Sequence, residues 1–402
     1  MTRLLRALIV TAVVVLLAMP AAGPVLAERS GDLYATSPGE TGTVLNEIDL
    51  LGQQVILPPT AVNAGSRHLA FTDIGTLYLG DGGVNLERVN VKTLETAMLP
   101  QLPAAATDIA HPTGTSLYLA YPSRSALGIL AAGQDTPVDG QTLTGPADLL
   151  AADRRETRLL AAEVGKSWVD IVNTTTNDVA KVTVVGSVVA AAISGVDHVA
   201  YVVTADPNTV VAITLDTAKV AWTAALPNRP TAVTASWDAK QPASAIVAVG
   251  ASLYAATGGT AKIWATLPDA ASALVTSDEG RFVYAASTGG VVAISVEKPT
   301  AAPVARVDLT KPPLGMAALP DVSSLAGDGG QASGSSASPG APGQPSPTPR
   351  KTKAPATDTV GGEDGTYRAP GADLVTVFGG MIGIAIVVLL LSRNAIRRWM
   401  GE

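Results

Sequence analysis

One kind of short segment returns through the middle of this chain, and its spacing limits the fold more than any other feature. It reads "DLYAT" from Asp32, "HLAFT" from His68, "SLYLAY" from Ser116, "RLLAAE" from Arg158, "VAYVVT" from Val199, "AIVAV" from Ala245 and "FVYAAS" from Phe282. The steps are 36, 48, 42, 41, 46 and 37 residues, a mean near 42. Prolines keep similar time at Pro59, Pro103, Pro146, Pro230, Pro268 and Pro313. The segments are rich in Val, Leu, Tyr and Thr, and Gly, Asp, Asn and Pro separate them. Alternation with a period of two, broken by turn residues, predicts strands. No window of helical length between Gly31 and Leu319 carries a 3.6-residue apolar stripe.

A repeat of about 42 residues with four short strands is one blade of a β-propeller. A lone four-stranded sheet cannot bury both of its faces, whereas blades set around an axis cover each other. Two blades show their four strands plainly, Thr231 to Leu267 and Ser272 to Leu309. The first blade starts at its second strand, "DLYATS", and an orphan inner strand, "PPLGMAALPD", follows the last blade. Pairing the two closes the ring and removes its open sheet edges. The expected fold is therefore all-β, a seven-bladed propeller over residues 28–320 closed by its N- and C-terminal strands. Six or eight blades stay open, because the region Asp73 to Pro100 is long.

The two ends place the chain. Arg3 and Arg6, an apolar run from Ala7 to Met19 and the small residues Val25 and Ala27 predict a signal peptide over residues 1–27. Leu374 to Leu391 is uncharged, and 18 residues of helix span about 27 Å, enough for a bilayer core. The predicted transmembrane helix covers residues 373–392. Arg393, Arg397 and Arg398 lie in the tail 393–402, which the positive-inside rule puts in the cytoplasm. Residues 321–372 are rich in Gly, Ser and Pro and poor in large apolar side chains, the composition of a disordered tether. Arg350, Lys351 and Lys353 keep it solvated. The expected location is a bacterial cytoplasmic membrane, crossed once, with the propeller outside.

Composition narrows the function. A net charge of −7 excludes a nucleic-acid surface, which needs clustered Lys and Arg. The absence of Cys removes thiol nucleophiles and disulfides. No Gly-x-Ser-x-Gly elbow and no phosphate loop occurs.

"ITLDTAKVAWTAALP", from Ile213 to Pro227, carries Asp216, Thr217, Lys219 and Trp222, and "GTAKIWATLP" repeats the Lys and Trp as Lys262 and Trp264. "SDEGRFVYAASTGG" runs from Ser277 to Gly290. These resemble the PQQ-like and YVTN repeat families, over about 290 residues. The resemblance implies a propeller in which Asp216, Lys219, Trp222 and Trp264 staple blades together. Two departures matter: the turn glycine of the PQQ-like pattern is Ala218, and Glu279 intervenes in the YVTN turn. With one full copy and no Cys, the resemblance implies no quinone cofactor.

Other candidates are sparse. Asp108 and Asp148 fall on successive inner strands, where side chains reach the central channel; they are the candidate ligand-binding pair. His68, His111 and His198 are expected as isolated turn residues between first and second strands, not as a metal site. "TADPNT" (Thr204 to Thr209), "ATGGT" (Ala256 to Thr260) and "STGG" (Ser287 to Gly290) are expected as turns on the rim. Gly379 and Gly383 form a Gly-x-x-x-Gly pair for helix packing. No catalytic residue, metal or cofactor is expected. The expected function is a membrane-anchored binding or scaffold module at the cell surface, with a protein or cell-wall partner. The alternatives are a lactonase-like or other hydrolytic propeller using an axial pocket, or an accessory subunit of a membrane complex.

Overall fold

The computed structural model describes residues 33–320, apart from 51–52, 57–58, 74, 239–240, 279 and 300–302. Seven antiparallel sheets follow one another along the chain. From the axis outward, blade 2 holds His68–Phe71, Thr76–Gly80, Leu86–Asn90 and Thr96–Met98. Blade 3 runs from Asp108–Ala110 to Val138–Thr142, and blade 4 from Leu149–Ala152 to Val179–Thr183. Blade 5 runs from Ser187–Ser194 to Lys219–Ala225, blade 6 from Ala232–Asp238 to Thr260–Thr266, and blade 7 from Ala271–Thr276 to Ala305–Asp308. The signal peptide, tether, transmembrane helix and tail expected from the sequence lie outside the described residues, as do Gly379 and Gly383. Among the described residues no helix is long and apolar enough to cross a membrane.

Blade 1 is built from both ends of the array. Its inner strand is Gly315–Ala318, its second Leu33–Pro38 and its third Thr43–Asp49. Its outer edge is split between Gln54–Val55 and Thr60–Val62, both paired with Thr43–Asp49. The closing register is Leu33↔Ala318, Tyr34↔Ala317, Ala35↔Met316 and Thr36↔Gly315. Each inner strand also lies against the next, from blade 1 round to blade 7 and back. The ring is thus complete within the described residues.

The period of two explains the core. Alternate residues of a strand face opposite sides of the sheet, so each blade offers one apolar set to each neighbour. In blade 5, Ala200 and Val202 pack toward blade 4, while Tyr201 and Val203 pack toward blade 6. Each of the seven interfaces between blades holds its own buried cluster. Each fully buried Val or Leu contributes about 1.5–3 kcal/mol, so stability is spread around the ring.

The sequence reading needs one correction. "HLAFT" is the inner strand of blade 2, and the second strand is Thr76–Gly80, "TLYLG". With that strand in place the irregular steps of 36 and 48 residues become 44 and 40. His68–Phe71 misleads because an inner strand covered on both sides by neighbouring blades has the same apolar composition as a second strand.

Gly315 sets how closely the ring shuts. A Cβ there would lie 2.0 Å from the Arg67 carbonyl oxygen, just ahead of the inner strand of blade 2. That neighbour is backbone and cannot swing away. Gly315→Ala is therefore expected to cost about 2 kcal/mol or more, measured by denaturant unfolding. Gly42→Ala is its comparator for the same atoms added in open space.

Candidate functional site

All seven inner strands line a cavity of about 330 Å³ on the axis. Ala70, Ala110, Ala151, Ala192, Ala235 and Ala317 come from six different blades, and Leu274 from the seventh. Small side chains are what the crowding of seven strands permits. These side chains are alkyl, while Thr234 and Thr276 add hydroxyls 2.8 Å apart, and Thr276 donates to the Ala235 carbonyl at 2.7 Å.

Charge gathers at one end, where the inner strands finish. Asp153, Arg154 and Arg155 follow the inner strand of blade 4, and Asp278 follows that of blade 7. Blades 4 and 7 are not neighbours, so contact between them crosses the channel. Arg155 Nη2 meets Asp278 Oδ1 at 2.7 Å, and Arg154 pairs with the other oxygen of the same carboxylate. Arg155 also donates to the Asp278 backbone carbonyl. The side chains of Arg154, Arg155 and Asp278 are only 14%, 22% and 10% exposed, so water screens this network weakly. Asp153 holds the base of the bridge. It accepts from Arg155 N at 2.8 Å and from Gly195 N in blade 5 at 3.0 Å. A Cβ on Gly195 would lie 2.8 Å from Asp153 Oδ1, so a glycine is what lets that backbone approach.

His111, at the end of the inner strand of blade 3, also lines the cavity. Burial pushes its pKa down to about 4, and the charge of Arg154 adds to this. Its ring nitrogens are out of solvent, and the Gly114 backbone beside them opposes the shift. The neutral imidazole belongs to the wall.

The residues expected from the sequence lie elsewhere. Neither Asp108 nor Asp148 lines the cavity. Asp108 starts the inner strand of blade 3 and clamps three blades. Its carboxylate accepts from its neighbour Ile109 N at 2.9 Å and from Leu150 N in blade 4 at 2.8 Å, and pairs with His68 in blade 2 at 3.1 Å. Asp148 accepts from Val164 N at 2.7 Å. Both carboxylates are held by backbone N–H groups, and the structure does not bring them together.

Two histidines are not isolated. His68 opens an inner strand and pairs with Asp108; His198, in the first turn of blade 5, lies 2.5 Å from Glu156 of blade 4. Glu156 is 2% exposed and also accepts from Arg158 N and Nη1, each at 3.1 Å. Arg158 continues to Asp216 at 3.0 Å. Lys219 opens the outer strand of blade 5. Trp222 rests on the blade 5–blade 6 cluster, 6.0 Å from the Tyr201 ring, and Trp264 on the blade 6–blade 7 cluster. The "TADPNT" and "STGG" turns join second to third strands, whereas "ATGGT" joins third to fourth. They therefore lie on opposite faces, not on one rim.

The bridge across the channel had a faint sequence signal. "DRR" follows the inner strand of blade 4 and "SDE" that of blade 7, opposite charges at one repeat position.

The fold defines a seven-bladed β-propeller with an axial cavity bridged by ion pairs at one end. No protein-family model matches the chain, and no curated protein matches its sequence. Among solved structures it is similar to Kuenenia stuttgartiensis hydrazine synthase, at 12% identity and a TM-score of 0.48, covering 58% of this chain and 77% of that one. Similarity this low carries nothing about chemistry.

The Glu156–His198 pair yields a test. The hydrogen bond to Glu156 raises the His198 pKa above 6.5. For Glu156, burial alone would raise the pKa, but the hydrogen bond and charge of His198, with Arg158, bring it below 4.5. The histidine's contribution to stability is thus full below pH 6.5 and is lost as pH rises through its folded value. The carboxylate's is present above pH 4.5 and lost as pH falls. NMR titration is expected to show His198 protonating above pH 6.5, and Glu156→Gln to bring it back toward 6.5.

His111 has the opposite sign. Its lowered pKa means the unfolded chain binds a proton first, so stability falls as pH drops from 6.5 toward 4. The loss is up to about 3 kcal/mol. Urea unfolding at both pH values is expected to show His111→Gln with a smaller acid loss than the parent.

Proposed function

We propose that this protein is a membrane-anchored binding or scaffold module, with its propeller held outside a bacterial cytoplasmic membrane. The observation that carries the reading is a ring closed by its own two ends. Its last strand, Gly315–Ala318, completes blade 1, so the ring closes within the described residues. A finished propeller ahead of a Gly/Ser/Pro-rich stretch and an apolar run suits a head, stalk and anchor.

The axis supports binding over catalysis. Arg154, Arg155 and Asp278 are engaged with each other across the channel. The two loop-bearing faces are the broad surfaces such a head presents to a protein or wall polymer.

Protease added to intact spheroplasts is expected to release the propeller into the medium, and proximity labelling from it to enrich specific envelope neighbours. Full protection from protease contradicts the topology. Labelling without specific enrichment contradicts the scaffold role.

A further inference from the structure

We infer that a hard divalent cation, with the size and oxygen preference of calcium, binds between blades 1 and 2 on Glu47 and Thr36. The site lies away from the axial cavity and belongs to the blade that closes the ring.

Strand alternation places the site. Tyr34 and Leu45 of blade 1 belong to the apolar cluster shared with Leu77, Leu79 and Val89 of blade 2. Thr36 is two residues on from Tyr34, and Glu47 two on from Leu45, so both face blade 2 as well. Leu45 is directly opposite Thr36, and Tyr34 opposite Glu47. Thr36 and Glu47 are therefore diagonal neighbours on one face, with Cβ atoms within about 8 Å. From the other side Glu87 faces the same interface, because it is opposite Leu79.

The charge of that interface calls for a cation. Thr36 is 0% exposed and Glu47 4%. The Thr36 hydroxyl and both Glu47 carboxylate oxygens are out of solvent, without a hydrogen-bond partner among the described residues. Buried carboxylates persist when they are paired or coordinate a metal. Three other buried acids show the pairing. Asp153 has Arg155, Glu156 has His198 and Arg158, and Asp170 accepts from Thr144 N and Oγ1. Glu87 is also 4% exposed; it accepts from Asn63 N at 2.7 Å and forms no ion pair among the described residues. The interface of blades 1 and 2 thus holds two carboxylates that no described cationic side chain pairs with.

Geometry favours a metal ion over a shared proton. Thr36 and Glu47 do not hydrogen-bond to each other, so their oxygens stand farther apart than one proton bridges. Calcium holds each oxygen ligand at about 2.3–2.6 Å and spans a wider gap. Carboxylate and hydroxyl oxygens are hard donors, suited to calcium rather than to softer metals. Among the described residues no three His, Cys, Asp or Glu side chains gather at a metal centre, so Glu47 is the one charged ligand. Thr36 is also opposite Gly315 in the closing register, and an ion on its hydroxyl braces the closing blade against blade 2.

Thermal unfolding of the full-length protein in mild detergent tests this. The protein is stripped with EDTA, then titrated with calcium chloride or with sodium chloride at matched ionic strength. Calcium is expected to raise the unfolding midpoint saturably, by about 3 °C or more, and sodium is not. Glu47→Gln should abolish the rise, and Thr36→Val should move it to severalfold higher calcium. Glu40→Gln, at an exposed position, should leave it unchanged. In EDTA, Glu47→Gln should be at least as stable as the parent, because it removes an uncompensated buried charge. A parent that gains no more from calcium than from sodium overturns the inference. So does a folded Glu47→Gln protein that keeps the parent's calcium response. The parent titration decides the matter even if a substitution prevents folding.

Discussion

The strand Gly315–Ala318, paired with Leu33–Pro38, is the contact on which the rest of the molecule depends. Every other blade is local: its four strands are consecutive in sequence, and each pairs with the next. Only blade 1 joins residues nearly 300 positions apart. Loop-closure entropy grows slowly with chain length, so the contact is affordable once six blades have stacked. Without it, blade 1 would lack its inner strand and one sheet edge would lie open at the axis.

Closure also makes the axial site. The blade 4 to blade 7 bridge exists only when blade 7 has come round to face blade 4. A buried ion pair of this kind contributes little net stability, because desolvation offsets the attraction, yet losing one partner is costly. Its effect is to hold opposite sides of the ring at a fixed distance. The clamps of Asp108 and Asp153, each accepting a backbone N–H from the next blade, do the same between neighbours. Polar side chains near the axis thus serve position first, and the cavity inherits its shape from them.

Most of the fold was legible in the sequence because blades repeat. Period-two strands and turn residues recur at a nearly fixed step, and the unpaired segments at each end pointed to their own pairing. Blade 2 was misread because "HLAF" and "TLYLG" look alike once both are buried, and composition does not tell an inner strand from a second one. The site was less legible. Asp108 opens an inner strand and Asp148 lies one residue ahead of the next, but which way a carboxylate turns depends on nearby backbone N–H groups, and sequence does not show those. Arg155 and Asp278 are 123 residues apart, and their meeting follows from ring geometry, not from any local pattern. Glu156 and His198 were missed for the same reason: they meet across a blade interface.

The central claim is the closing register. This chain has no cysteine, so an introduced pair reports without interference. Ala35 and Met316 are opposite one another and share the face toward blade 7, whereas Ala317 faces blade 2. The decisive measurement is disulfide formation under mild oxidation, read by mass spectrometry. Ala35→Cys with Met316→Cys should cross-link within the folded monomer, and Ala35→Cys with Ala317→Cys should not. Cross-linking of the second pair but not the first would contradict the register. Absence of cross-linking in both, in a folded protein, would contradict closure itself.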